Sequence, residues 1–224
     1  MCGASVAVVV GDETVYCKGF GVRGLDSTDP VDTNTIYRLA SNTKAFTAFS
    51  LGLLVDEGKL EWDKPIKNYI PDFKLYNDYL TESVTVRDLL CHRTGLPAHD
   101  WALHDPSLTR KDCVERLRYL EPNFDLRVKH QYNNKMFMLA AYVLECITGE
   151  VWEHFVMRRI FEPLEMNNTI FHCTGRAKPG ISRRIIYCTR AGSMKGKWNS
   201  RPTTTRINTT RAGRQAPSTH APTT

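Results

Sequence analysis

Apolar and polar positions change period along the chain. From Ala4 to Val10 and from Thr14 to Phe20, β-branched and aromatic residues flank the turn Gly11-Asp12-Glu13, which predicts a β-hairpin. Residues 23–32 carry no such pattern and read as a loop. After Ser41 the apolar residues Phe46, Phe49, Leu51, Leu53, Leu54 and Val55 lead to Gly58, a C-cap glycine. This predicts a helix that is apolar nearly all round and therefore buried. Trp62 to Ile70 holds two proline-bounded turns, and Thr85 stands three residues ahead of Asp88 in a capping box that opens a short helix. Thr109 and Asp112 open another, running to about Leu120. Tyr132 to Ile147 is the clearest amphipathic helix, with Met136, Leu139, Ala140, Val143, Leu144 and Ile147 on one stripe and Gly149 as its stop. Val151 to Phe161 reads as a further helix ended by Pro163. A β start followed by a helical middle, without internal repeat, predicts an α+β fold. One hairpin cannot stand as a sheet, so partner strands must come from elsewhere.

Composition changes this picture mainly at the C-terminus. Residues 1–173 contain 19 Lys and Arg against 24 Asp and Glu, a net charge of −5; residues 174–224 contain 11 Lys and Arg and no acid. The overall +6 therefore belongs to a basic tail on a mildly acidic body. The boundaries drawn are a domain over residues 1–173 and a low-complexity stretch over 174–224, whose Thr, Ala, Pro and Ser content cannot bury a core and predicts that it is largely disordered. The seven cysteines are odd in number, widely spaced and without a Cys-x-x-Cys pair, so neither a disulfide framework nor a metal site is expected; reduced, mostly buried thiols are. No stretch has the apolar length of a membrane span, and residues 1–10 lack the basic start of a signal peptide. A cytoplasmic protein without cofactor is the simplest expectation.

Two short stretches carry candidate chemistry. Ser41 and Lys44 lie three residues apart at the head of the apolar helix, so the amine can reach the hydroxyl. A serine hydroxyl needs an adjacent base to attack a carbonyl, and a lysine held neutral by desolvation and the helix dipole can serve. The bland alternative is that Ser41 caps the helix while Lys44 is solvated. Gln131-Tyr132-Asn133-Asn134 precedes the amphipathic helix. There Tyr132 can shuttle a proton to a leaving group and Asn134 can orient a substrate carbonyl, or both residues can simply form a turn and cap.

Taken with Gly19-Phe20-Gly21, Leu89-Leu90-Cys91-His92-Arg93-Thr94-Gly95-Leu96-Pro97 and Phe161-Glu162-Pro163-Leu164-Glu165-Met166, these stretches resemble, in order and spacing, the serine β-lactamase-like family. That family comprises class C β-lactamases, penicillin-binding DD-peptidases and related esterases, D-aminopeptidases and acyltransferases. The resemblance covers about residues 3 to 171. It implies that Ser41 is the acylated nucleophile, that Lys44 helps to deprotonate it, that Tyr132 is a general acid/base and that Asn134 contacts substrate and lysine. The Ser41 backbone N–H would be one oxyanion donor. His92 falls in the family's Leu-Leu-x-His-x-x-Gly-Leu segment, where it reads as structural and not as a base.

The family's third motif, Lys-Thr-Gly or His-x-Gly on a late strand, has no valid copy. His92-Arg93-Thr94-Gly95 precedes Tyr132, and His172-Cys173-Thr174-Gly175 follows the fifth block too closely. The chain therefore reads as a truncated member. Either translation leaves the family's frame near Cys173, or residues 174–224 form a true basic tail able to bind nucleic acid or an anionic surface. The expected activity is hydrolysis or transfer of a small-molecule or peptide acyl group through an ester on Ser41. The alternative is a non-catalytic protein that acts by association, for which an open edge on the hairpin would serve.

Overall fold

A computed structural model describes residues 3–35, 37–100, 107–173 and 184–188. The chain divides into two units, residues 36–199 forming one and residues 1–35 with 200–224 the other.

In the unit that contains the N-terminus, β1 (Ala4–Val10) pairs antiparallel with β2 (Glu13–Phe20). The predicted turn is in place. Gly11 has φ +58°, a conformation that costs glycine little and other residues more. A register shift between Val8 and Val9 marks a bulge. The following loop folds back over the hairpin: Val31 N–H donates to the Gly21 carbonyl at 2.9 Å, and the Ser5 hydroxyl donates to the Asp32 carbonyl at 3.2 Å. Gly19 is required there, because a Cβ on it would lie 2.2 Å from the Val31 carbonyl oxygen. Among the described residues this sheet has two strands.

In the other unit, β3 (Tyr37–Arg38) leads into α1 (Thr43–Asp56), α2 (Asp78–Ser83), α3 (Val86–Leu90), α4 (Arg110–Glu115), α5 (Asn134–Thr148), α6 (Trp152–Val156), β4 (Thr169–Cys173) and β5 (Arg184–Cys188). The core gathers Leu51 and Leu54 of α1, Leu89 of α3, Met136, Leu139, Val143 and Leu144 of α5, and Phe155, Ile160 and Phe161 near α6. The α5 stripe is the predicted one except that Ile147 is only partly buried, and Gly149 at φ +69° ends the helix. Both predicted capping boxes form, Thr85 with Asp88 and Thr109 with Asp112.

Four expectations are corrected or refined. The first helix is not buried all round: Thr47, Ser50, Leu51 and Leu54 are buried, but Phe49 is 54% exposed. The helix expected to run to Phe161 does so, but only Trp152–Val156 is α-helical and Met157–Phe161 continues it as a π-helix. Cys17, Cys91 and Cys146 are exposed residues and Cys113 is half-buried, so these four do not fill the core. Finally, the stretch expected to be largely disordered contributes one strand, β5, which forms the middle of a three-stranded antiparallel sheet between β3 and β4. Its run Ile185-Ile186-Tyr187 has the β-branched and aromatic content of a strand. The remainder of 174–224 lies outside the described residues, as do Thr174 and Gly175 of the late His-Cys-Thr-Gly stretch.

Candidate active site

Ser41 does not act as a helix cap. It sits in a 3₁₀ turn over Ala40–Asn42 just ahead of α1, and no side chain caps that turn or the helix. Ala40 holds φ +46°, an unfavourable conformation for a residue with a Cβ, and this bend delivers Ser41 to the surface with its hydroxyl free for other partners.

Those partners are the other sequence-predicted residues. Ser41 Oγ and Tyr132 Oη are 2.7 Å apart, and either can donate. Lys44 Nζ, one turn into α1, donates to Ser41 Oγ at 3.3 Å and to Asn134 Oδ1 at 2.7 Å. The same amine lies 4.8 Å from the centre of the Tyr132 ring and 5.3 Å from that of Phe137, in cation–π range. Hydrogen bonding from Lys44, reinforced by Ser41, holds the Tyr132 phenol below its usual value of 10.0 against a smaller opposing effect of burial. Four residues from two segments some 90 positions apart are thus linked by hydrogen bonds.

Asn133 and Asn134 divide the two roles that the sequence left open. Asn133, fully buried, caps α5 through an Oδ1 that accepts from Lys135 N–H at 2.9 Å. Its Nδ2 donates to the carbonyls of Leu96 and Pro97 at 2.8 and 3.1 Å. Asn134, the first helical residue, is left to turn toward Lys44.

The segment from His92 to Pro97 holds Tyr132 and Asn134 in place. His92 Nδ1 accepts from Asn133 N–H at 3.2 Å, and its ring packs 4.6 Å from that of Tyr132. Burial, with His130 and Lys44 nearby, pushes the His92 imidazole below its usual 6.5. Backbone N–H groups of Gln131, Arg127 and Asn123 donate to the carbonyls of His92, Arg93 and Gly95 at 2.8, 2.8 and 2.9 Å. Beneath them Asp88, with no exposed surface, accepts from Arg93 Nε at 2.5 Å, from Arg127 Nη2 at 2.8 Å and from the Thr85 hydroxyl at 2.8 Å. Burial alone would raise its carboxyl, but the bonds from Arg127, Thr85 and Arg93 outweigh that and lower it.

Two contributors escaped the sequence reading. Phe137 lies one turn beyond Asn134 on α5, on the same face, so the helical period could have named it. Asp100, whose Oδ2 accepts from Asn134 Nδ2 at 3.2 Å, gave no signal, because nothing local pairs it with residue 134. Among the described residues no cluster of three or more His, Cys, Asp or Glu could hold a metal ion, and no helix is long and apolar enough to cross a membrane.

The chain is similar to known proteins in sequence and in fold. An unguisins hydrolase of Aspergillus campestris is 39% identical over 179 residues, covering 75% of this chain and 33% of that protein. The solved structure of a D-amino acid amidase from Ochrobactrum anthropi is 30% identical, with a TM-score of 0.64, covering 75% of this chain and 46% of that one. An octameric penicillin-binding protein homologue from Pyrococcus abyssi is 25% identical, with a TM-score of 0.68, covering 84% and 49%. The chain spans about a third of the length of the Aspergillus campestris hydrolase and of a second curated relative, an unguisins hydrolase from Aspergillus violaceofuscus. The family model described as Beta-lactamase matches residues 1–185, and the chain belongs to the β-lactamase family.

Proposed function

We propose that the chain is a serine hydrolase or acyltransferase that works through an ester on Ser41. The observation that carries this reading is the Ser41 hydroxyl lying 2.7 Å from the Tyr132 phenol and 3.3 Å from the Lys44 amine. That is the geometry a nucleophile and its base require. As Ser41 Oγ attacks an acyl carbonyl, its proton passes to the Tyr132–Lys44 pair, which returns it to the leaving group. The Tyr132 phenol, held below its usual value chiefly by the bond from Lys44, is the group of the pair that ionises more readily than an ordinary tyrosine. Asn134 holds Lys44 through Oδ1; one Nδ2 proton goes to Asp100 and the other remains for a substrate carbonyl. The Ser41 backbone N–H supplies an oxyanion donor.

Substrates are carboxylic esters or amides of small molecules or peptides, in keeping with hydrolase and amidase relatives. With no third motif among these 224 residues to give a second oxyanion donor, acylation is slower by about 10²–10³ than in a complete site. A second reading, a non-catalytic protein acting by association, is favoured by the same gap.

Acid-quenched mass spectrometry of the chain mixed with aryl esters and D-amino acid amides separates the two readings. The enzyme reading expects an acyl group on Ser41 during turnover. A chain that melts cooperatively yet neither turns over nor accumulates acyl-Ser41 would support association instead.

A further inference from the structure

Asp100 stands behind the hydrogen-bonded four without reaching Ser41. Its Oδ2 accepts from Asn134 Nδ2 at 3.2 Å, while Oδ1 is buried and, among the described residues, has no hydrogen-bond partner. The consequence lies in the shape of an asparagine amide. Its two ends are nearly the same size, so packing alone does not decide which faces Lys44. Electrostatics does. A carboxylate only accepts and an ammonium only donates, so a reversed amide would set oxygen against oxygen at Asp100 and N–H against N–H at Lys44. Between an acceptor and a donor only one orientation is satisfied, the one that gives Lys44 an oxygen at 2.7 Å.

The support reaches one residue further. Lys135, 4% exposed, sends its amine back to the carbonyls of Ala98 and His99, immediately ahead of Asp100. His99 has φ +35°, a conformation rare for a residue with a Cβ, and these bonds hold the turn that brings Asp100 under Asn134.

We propose that Asp100 is a positioning residue, fixing the orientation of the Asn134 amide and through it the place of the Lys44 amine. This rests on the acyl-transfer reading above. Its charge also opposes ionisation of the Tyr132 phenol, so it bears on the pH range in which the site works.

The test compares the wild-type chain with D100A and D100N by two readouts. One is the rate of Ser41 labelling by a fluorophosphonate probe as a function of pH. The other is hydrogen exchange of the Asn134 side-chain amide in ¹⁵N NMR spectra. D100A removes the acceptor and is expected to slow labelling roughly 10- to 100-fold, the scale of one hydrogen bond to a charged group, and to speed Asn134 exchange. D100N keeps an acceptor oxygen but loses the charge; it is expected to lose less rate than D100A and to shift the labelling profile to lower pH. Labelling and Asn134 exchange unchanged in D100A would overturn the proposal. So would equal losses in both variants that merely follow a fall in melting temperature. A wild-type chain that takes no label at Ser41 removes the acyl-transfer reading, and the exchange measurement still decides whether Asp100 holds Asn134.

Discussion

Replacing Tyr132 with Phe separates the two jobs of that side chain. The ring stays against His92 and within 4.8 Å of Lys44, while the hydroxyl 2.7 Å from Ser41 is lost. Stability is expected to hold within about 0.5 kcal/mol, since Tyr132 is 45% exposed, while Ser41 acylation slows by about 10²–10⁴. A denaturant melt beside a labelling time course checks both. His92 makes a different demand. Its Nδ1 must be unprotonated to accept from Asn133 N–H, and burial already favours the neutral ring. The unfolded chain binds this proton more readily, so the contribution is complete above the unfolded value of 6.5 and is lost as pH falls below it toward the lowered folded value. Urea midpoints at pH 7.5 and 5 are expected to differ more in the wild type than in His92→Gln, which cannot take up the proton.

At the scale of elements, the loop from His92 to Pro97 is as important as any helix, and Gly95 is its tightest point. Its φ is +78°, and a Cβ there would lie 1.9 Å from the Phe124 carbonyl oxygen. Gly95→Ala must therefore push back the segment whose later residues present Tyr132. It is expected to cost more than about 2 kcal/mol and to slow Ser41 labelling more than the stability loss alone explains, which thermal melts and labelling of the folded fraction together would show. Elements with local signals were legible in the sequence: both capping boxes, the stripe and C-cap of α5, and the hairpin around Gly11. Elements made by distant pairing were not. The two-residue strand β3 exists because β5 lies beside it, nearly 150 positions on. The single-turn helix α2 has only Asn77 to announce it, through an Oδ1 that accepts from Leu80 N–H at 2.8 Å. For the site, Ser41, Lys44, Tyr132 and Asn134 were readable because spacing carries them. Ala40 and Asp100 were not, since neither backbone bend nor carboxylate has a periodic signature.

For the molecule as a whole, every residue proposed for acyl transfer lies between positions 41 and 134, inside one unit and inside the stretch that matches the β-lactamase family. The catalytic proposal therefore does not depend on residues 189–224 or on their positive charge. The central question is whether the linked Ser41, Lys44, Tyr132 and Asn134 suffice to form an acyl-enzyme. The most direct answer is the intact mass of the purified chain after exposure to a fluorophosphonate or β-lactam probe, with Ser41→Ala and Lys44→Ala alongside. A single adduct on the wild type, absent from Ser41→Ala and strongly reduced in Lys44→Ala, is the predicted result. An unmodified wild-type chain that still melts cooperatively would contradict it.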